Sequence, residues 1–97
     1  MGYLMVMNFD VKNFETFSKY SEASSRTVPP SMKVLAFDTE RNDLEGASHE
    51  RLVILEFPDA RDAMHWYRST EYQTISQWRR ASTEGWVRGL PKFSKRG

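Results

Sequence analysis

The chain has 97 residues and no cysteine, fourteen basic and thirteen acidic side chains, and 13% aromatics, three of them tryptophan. The missing cysteine excludes disulfides, thiolate metal sites and cysteine nucleophiles, and the near-zero net charge argues against nucleic acid as the main partner. The length predicts one small domain over 1–97, with a core over about 3–90 and a tail over 91–97, of a size that buries a modest fraction of its surface and is marginal alone.

Tyr3 to Phe9 is a short apolar strand, with Tyr3, Met5, Met7 and Phe9 on one face and Leu4, Val6 and Asn8 on the other. Asp10 is the predicted N-cap of a helix from Val11 to about Ser25, carrying Phe14, Phe17 and Tyr20 at spacing three. That stripe reads as core. With Met5 and Met7 opposite, it also has the makings of an apolar cavity wall. Pro29 and Pro30 forbid continuation. Met32 to Asp38 is a second strand, with Lys33, Leu35 and Phe37 on one face, and Thr39 to Glu50 is a polar loop. Arg51 to Phe57 is the strongest strand, stopped by Pro58, and Asp59 caps a helix with Ala60, Ala63, Met64 and Tyr67 at helical spacing. A break over Ser69 to Glu71 precedes a further helix over Tyr72 to Ser82, which Gly85 ends; Trp86 to Leu90 is the fourth strand.

The order strand, helix, strand, strand, helix, strand is that of an α+β, ferredoxin-like βαββαβ fold, a four-stranded antiparallel sheet with its helices on one face. The strands are apolar on both faces. An antiparallel face open to water normally alternates with polar residues, so the helix-free face needs a cover, and a second copy is the simplest one. A homodimer packed sheet to sheet is therefore expected. No stretch has the length of a membrane span and no signal peptide is visible, so no membrane partner and a cytoplasmic location are expected.

The segment Glu50 to Arg79 resembles the bacterial domain-of-unknown-function 1330 family. The matching positions are Glu50-Arg51, Glu56-Phe57-Pro58, Ala63, Trp66-Tyr67, Ser69, Glu71-Tyr72-Gln73 and Arg79, with a weaker match at Phe17, Tyr20 and Leu44-Glu45-Gly46. The chain departs from the family at Ser31 and Met32, where two glycines are common. The resemblance implies a subunit of the dimeric α+β barrel superfamily, which includes cofactor-free monooxygenases, muconolactone-type isomerases, haem-handling proteins and stress-responsive proteins. It brings no reaction with it.

Tyr67, Ser69, Tyr72 and Arg79 form the leading candidate cluster, joined by Tyr20 and Trp66 as ligand-binding candidates. Arg79 follows Tyr72 by two helical turns. An arginine beside tyrosine hydroxyls could clamp a carboxylate or an enolate; equally, the tyrosines are core aromatics with bonded tips and Arg79 pairs with a local acid. His65 is the histidine on a regular element, a candidate general base or an exposed helix residue. Glu56 shares a strand face with Leu52 and Ile54. It is either a buried acid of raised pKa or a partner of Arg51 or of an arginine on the other chain. His49, in the polar loop, is expected to be solvated. No metal-ligand spacing, phosphate-binding glycine loop or Ser-His-Asp order is present, and neither metal nor cofactor is expected.

Two functional readings follow. The first is a homodimer that binds a small apolar or aromatic molecule and, if catalytic, acts as a cofactor-independent isomerase or monooxygenase-like enzyme. Tyr72 and Arg79 would then polarise an oxygen, and His65 or Glu56 would move a proton. The second is a non-catalytic structural homodimer, or an accessory or sensor protein.

Overall fold

The computed structural model describes residues 2–94, with elements in the order β1 (Tyr3–Val11), α1 (Phe14–Ser24), β2 (Lys33–Asp38), β3 (Arg51–Phe57), α2 (Ala60–Tyr67), α3 (Thr70–Ser82) and β4 (Thr83–Pro91). The strands form one sheet in the order β2-β3-β1-β4. β3 is antiparallel to both β1 and β2, and β4 is antiparallel to β1. β1 and β2 therefore run parallel with β3 between them, and β3 and β4 run parallel with β1 between them. Two split βαβ units interleave, which is the ferredoxin-like arrangement.

β1 pairs from Tyr3↔Phe57 to Phe9↔Arg51 on one side and from Tyr3↔Pro91 to Val11↔Thr83 on the other. Its alternation decides the layers. Met5, Met7 and Phe9 are buried together with Leu55 and Phe57 of β3, beneath Phe17 and Tyr20 of α1, Ala63 and Trp66 of α2, and Tyr72 of α3. Each large apolar side chain so buried contributes about 1.5–3 kcal/mol. The opposite face carries no helix. There Leu4, Val6, Leu52, Ile54 and Leu90 are only half-buried, and Trp86 is 47% exposed.

Several expected boundaries move, each for a physical reason. α1 is capped by Asn13, whose side chain accepts from Thr16 N, rather than by Asp10. The Asp10 carboxylate is occupied elsewhere: it accepts from the Glu50 N–H at 2.7 Å and bonds His49 Nδ1 at 2.9 Å. β1 consequently runs on to Val11, paired with the start of β4. His49, expected to be solvated, is tied down by that bond. The buried Asn8 amide holds the same segment, donating to the His49 and Arg51 carbonyls and accepting from His49 N. The break between the second pair of helices is shorter than expected. Ser69 caps α3, so Thr70 and Glu71 are already helical. Gly85 does not end a helix but sits inside β4, where a Cβ would collide with the Asn8 carbonyl oxygen and Phe9 Cα. A bulge between Val34 and Ala36 in β2 places Val34 opposite Leu55 and Phe37 opposite Val53. Phe37 thus shares the helix-side face with Val34, against the simple alternation that grouped it with Lys33 and Leu35. The segment after Leu90 begins as strand, since Pro91 pairs with Tyr3 and Lys92 N donates to Gly2 O; 95–97 of the expected tail lie outside the described residues.

Asp10 gives the fold a pH signature. The His49 hydrogen bond, then the Glu50 N–H, hold its carboxyl below the usual range. A carboxyl depressed in the folded state stabilises above its unfolded pKa, about 3.9, and that stabilisation is lost as pH falls through the folded value. Urea midpoints measured at pH 6 and pH 3 should show wild type more stable than Asp10→Asn at pH 6, with the gap closing at pH 3.

Candidate functional site

The helix side of the sheet is filled unevenly. Under α2 and α3 the aromatic rings are in continuous contact. Trp66 lies on Tyr72 with centroids 4.1 Å apart, Phe57 meets Trp66 at 5.7 Å, and Tyr67 meets Tyr72 at 5.7 Å. Tyr72 is fully buried and its hydroxyl lies 2.7 Å from that of Tyr20, joining α3 to α1. Local structure sets these positions. Ser69 Oγ accepts from Tyr72 N and donates to the Trp66 carbonyl, so it fixes the turn that separates the two rings' helices. Trp66 Nε1 donates to the Thr27 carbonyl at 3.1 Å and anchors the segment after α1.

Under α1 the packing is incomplete. A cavity of about 230 Å³ lies between α1, the segment through Val28 and Met32, and strands β1, β3 and β2. Met7, Phe17, Tyr20, Val53, Leu55 and Trp66 are among its walls, and Ser21 and Ser24 of α1 and its C-cap Ser25 line it as well. The void has a simple cause. On α1 the residues that follow Phe17 and Tyr20 along the inner face are serines, and β2 is an edge strand whose Val34 and Phe37 remain 59% and 61% exposed. The volume exceeds the roughly 150 Å³ apolar cavity that suffices for benzene, so one substituted aromatic ring fits.

Arg79 completes the polar part of the cluster. It is 6% exposed, its Cζ lies 5.9 Å from the Tyr20 ring centroid, and its Nε is buried without a hydrogen-bond partner. Among the described residues no carboxylate forms an ion pair with it. Burial opposes its charge, but the Tyr72 and Tyr20 side chains outweigh that and its pKa is raised. The Tyr20 hydroxyl is pushed strongly up, chiefly by burial and then by Tyr72; the attraction of Arg79 acts the other way and is smaller. Tyr20 therefore stays protonated at neutral pH and is not a base.

Of the residues singled out from sequence, the structure brings Tyr20, Trp66, Tyr67, Tyr72 and Arg79 into one cluster, with Tyr20 and Trp66 on the cavity wall. Ser69 acts as a helix cap at its edge. His65 and Glu56 stand apart. His65 is exposed on α2, and Glu56 lies on the helix-free face, where it receives Lys92 Nζ at 2.8 Å. That hydrogen bond lowers the Glu56 pKa rather than raising it, and the pairing cation is Lys92 rather than an arginine. Met7 was read from sequence only as a wall of an apolar cavity opposite the aromatic stripe, and Met32, Val53 and the three serines were not singled out as site residues. For the serines the sequence signal was a run of small residues following that stripe. Among the described residues no group of three or more His, Asp or Glu is arranged to hold a metal ion, and no helix is long and apolar enough to cross a membrane.

The architecture is found in solved structures. The methylated RPA0582 protein of Rhodopseudomonas palustris is similar with a TM-score of 0.79 at 15% identity, covering 97% of this chain and 82% of that one. A dimeric ferredoxin-like protein of unknown function from Thermobifida fusca gives 0.68 at 11% identity, over 95% and 92% of the two chains. SnoaB of Streptomyces nogalater, a cofactor-independent oxygenase, gives 0.62 at 12% identity, over 97% and 95%. At such identities the likeness shows the fold alone. No curated protein matches the chain. The model of a domain of unknown function, DUF1330, matches residues 1–90, and the chain belongs to that family.

Proposed function

We propose that this protein is a homodimer, joined through its helix-free sheet face, that binds a small apolar or aromatic molecule in the cavity beneath α1. Its catalytic form would be a cofactor-independent isomerase or oxygenase-type enzyme. One observation carries the binding reading: an apolar cavity large enough for a substituted ring, with Tyr20, bonded to the buried Tyr72, forming part of its wall. The half-buried Leu4, Val6, Leu52 and Ile54 on the open face support the dimer, and so do fold neighbours described as dimeric. His65 and Glu56 do not line the cavity, so the polar chemistry available there is that of Tyr20 with Tyr72 and Arg79 behind it.

A structural reading has its own support. Tyr20 and Tyr72 satisfy each other, Ser69 is a cap and Glu56 is paired with Lys92. Calorimetric titration with nitrobenzene, a neutral ring of suitable size, separates the two. Saturable binding at one site per chain, weakened at least tenfold by Ser24→Trp, is the expected result. An indole at Ser24 enters the cavity from α1 and takes up its volume. Absence of binding by the folded wild-type dimer would leave the structural reading.

A further inference from the structure

We propose that two copies of this chain meet with their two-fold axis running across the strands, so that Lys33 of each subunit faces Asp38 of the other. This rests on the sheet-to-sheet dimer proposed above and adds the orientation of the partner.

The strand registers divide the helix-free face into rows that cross the sheet. Lys33, Glu56, Leu4 and Leu90 form one row, Ala36, Ile54, Val6 and Arg88 the next, and Asp38, Leu52, Asn8 and Trp86 the third. Beyond the third row Asp10 stands opposite Glu84. Much of the charge on this face is answered within the chain. Glu56 receives Lys92, Asp10 holds His49, and Glu84 lies 3.7 Å from Lys12. Among the described residues Lys33, Asp38 and Arg88 form no ion pair, and all three are exposed. The bulge in β2 is what turns both Lys33 and Asp38 to this side, at the two ends of one strand.

Lys33 and Asp38 thus stand one row to either side of the row through Val6 and Ile54. An isologous interface brings residue i of one copy to residue j of the other, and j to i. A face with a cation and an anion placed evenly about its apolar middle row is complementary to itself when that row lies on the axis. Packed sheets stand about 10 Å apart, a gap that lysine and aspartate side chains close by reaching toward each other. Val6, Ile54 and Ala36 then meet their own counterparts. Arg88 ends that row on the edge strand β4 and is exposed, so it meets its counterpart only at the rim, in water. The other aligned packing has its axis along the strands and lays β2 over β4. Lys33 would then lie over Leu90, between Arg88 and Lys92, and Asp38 over Trp86, between Arg88 and Glu84. The lysine would meet only cations, and the aspartate a charge of each sign. The proposed axis also sets both β2 edges on one side of the dimer, and with them the exposed Val34 and Phe37 that line each cavity.

The test reverses one charge per chain and measures dimer dissociation by sedimentation equilibrium. Lys33→Glu and Asp38→Lys should each weaken the homodimer by about tenfold or more, since two attractions become two repulsions. An equimolar mixture of the two variants should dimerise as tightly as wild type. In the mixed dimer the two reversed charges attract each other, and the two native ones do likewise. A second measurement needs no reversed charge and decides the matter even if Lys33→Glu does not fold. Ala36→Cys gives this cysteine-free chain one thiol on the row that meets itself, and a short bismaleimide should join it to its counterpart. If wild type is dimeric but the mixture is no tighter than the separate variants, the orientation is overturned and the dimer itself stands. Ala36→Cys chains that dimerise without cross-linking overturn it as well. If wild type stays monomeric at every concentration, the dimer reading fails and the orientation fails with it.

Discussion

Phe57→Ala is expected to cost about 3–5 kcal/mol of folding stability, read from urea unfolding at one fixed protein concentration. Phe57 is 1% exposed at the end of β3, with its ring 5.7 Å from Trp66 and its strand position directly opposite Tyr3. Removing the ring takes away transfer energy. It also leaves a void between the sheet and α2 that Trp66 cannot fill, because Trp66 is held by Tyr72 on one side and by Thr27 on the other. A small domain has about 5–15 kcal/mol in all, so the loss is a large share of the whole. Phe14→Ala is the control. Phe14 is 68% exposed, and surface truncations of this kind stay within about 0.5 kcal/mol. Equal effects of the two substitutions would mean that the aromatic layer under α2 is not the core.

Ile54→Glu should convert the homodimer proposed above to a folded monomer. Ile54 is half-buried on the helix-free face, between Val6 of β1 and Ala36 of β2 in register. In the monomer a carboxylate there can still reach water. In a sheet-to-sheet dimer it would be buried without a partner, once in each subunit. At roughly 2–3 kcal/mol for each, and with about 1.4 kcal/mol per tenfold in Kd, the dissociation constant should rise about a thousand- to ten-thousandfold. Sedimentation equilibrium gives the answer directly, with circular dichroism confirming that the fold persists. A variant that stays dimeric at the wild-type concentration would place the interface elsewhere, the exposed Val34 and Phe37 on edge strand β2 being the next surface to test.

Much of the fold was legible because local and long-range signals agreed. Arg51–Phe57 is a run of branched apolar residues closed by a proline, and Asp59 follows as a cap with nothing else among the described residues competing for its carboxylate. The misreadings have the opposite character. Asp10 looks like a cap from its neighbours alone, but His49 and Glu50, some forty residues on, claim its oxygens, and Asn13 caps instead. Glu56 looks like a candidate for a raised pKa on an apolar strand until Lys92 arrives from beyond β4. A bulge of one residue in β2 moves Phe37 to the other face. No local pattern foretells any of these.

The candidate site divides in the same way. Tyr20, Trp66, Tyr72 and Arg79 were legible as residues, through helical spacing and through resemblance to the family, and the structure does assemble them. The cavity was less legible, because a void is the absence of side chains at a place where three distant segments meet. Ser21 and Ser24 from α1, its C-cap Ser25, Met32 before β2 and Val53 from β3 define it together.

The measurement that tests the central claim most directly is a methionine-methyl NMR titration of the wild-type protein with nitrobenzene. Met7 and Met32 line the cavity beneath α1, whereas Met64 lines a separate depression beside Tyr67 and Val87. The account predicts saturable ring-current shifts at the Met7 and Met32 methyls, with Met64 unmoved. Shifts confined to Met64, or no shift at any of the three, would contradict it.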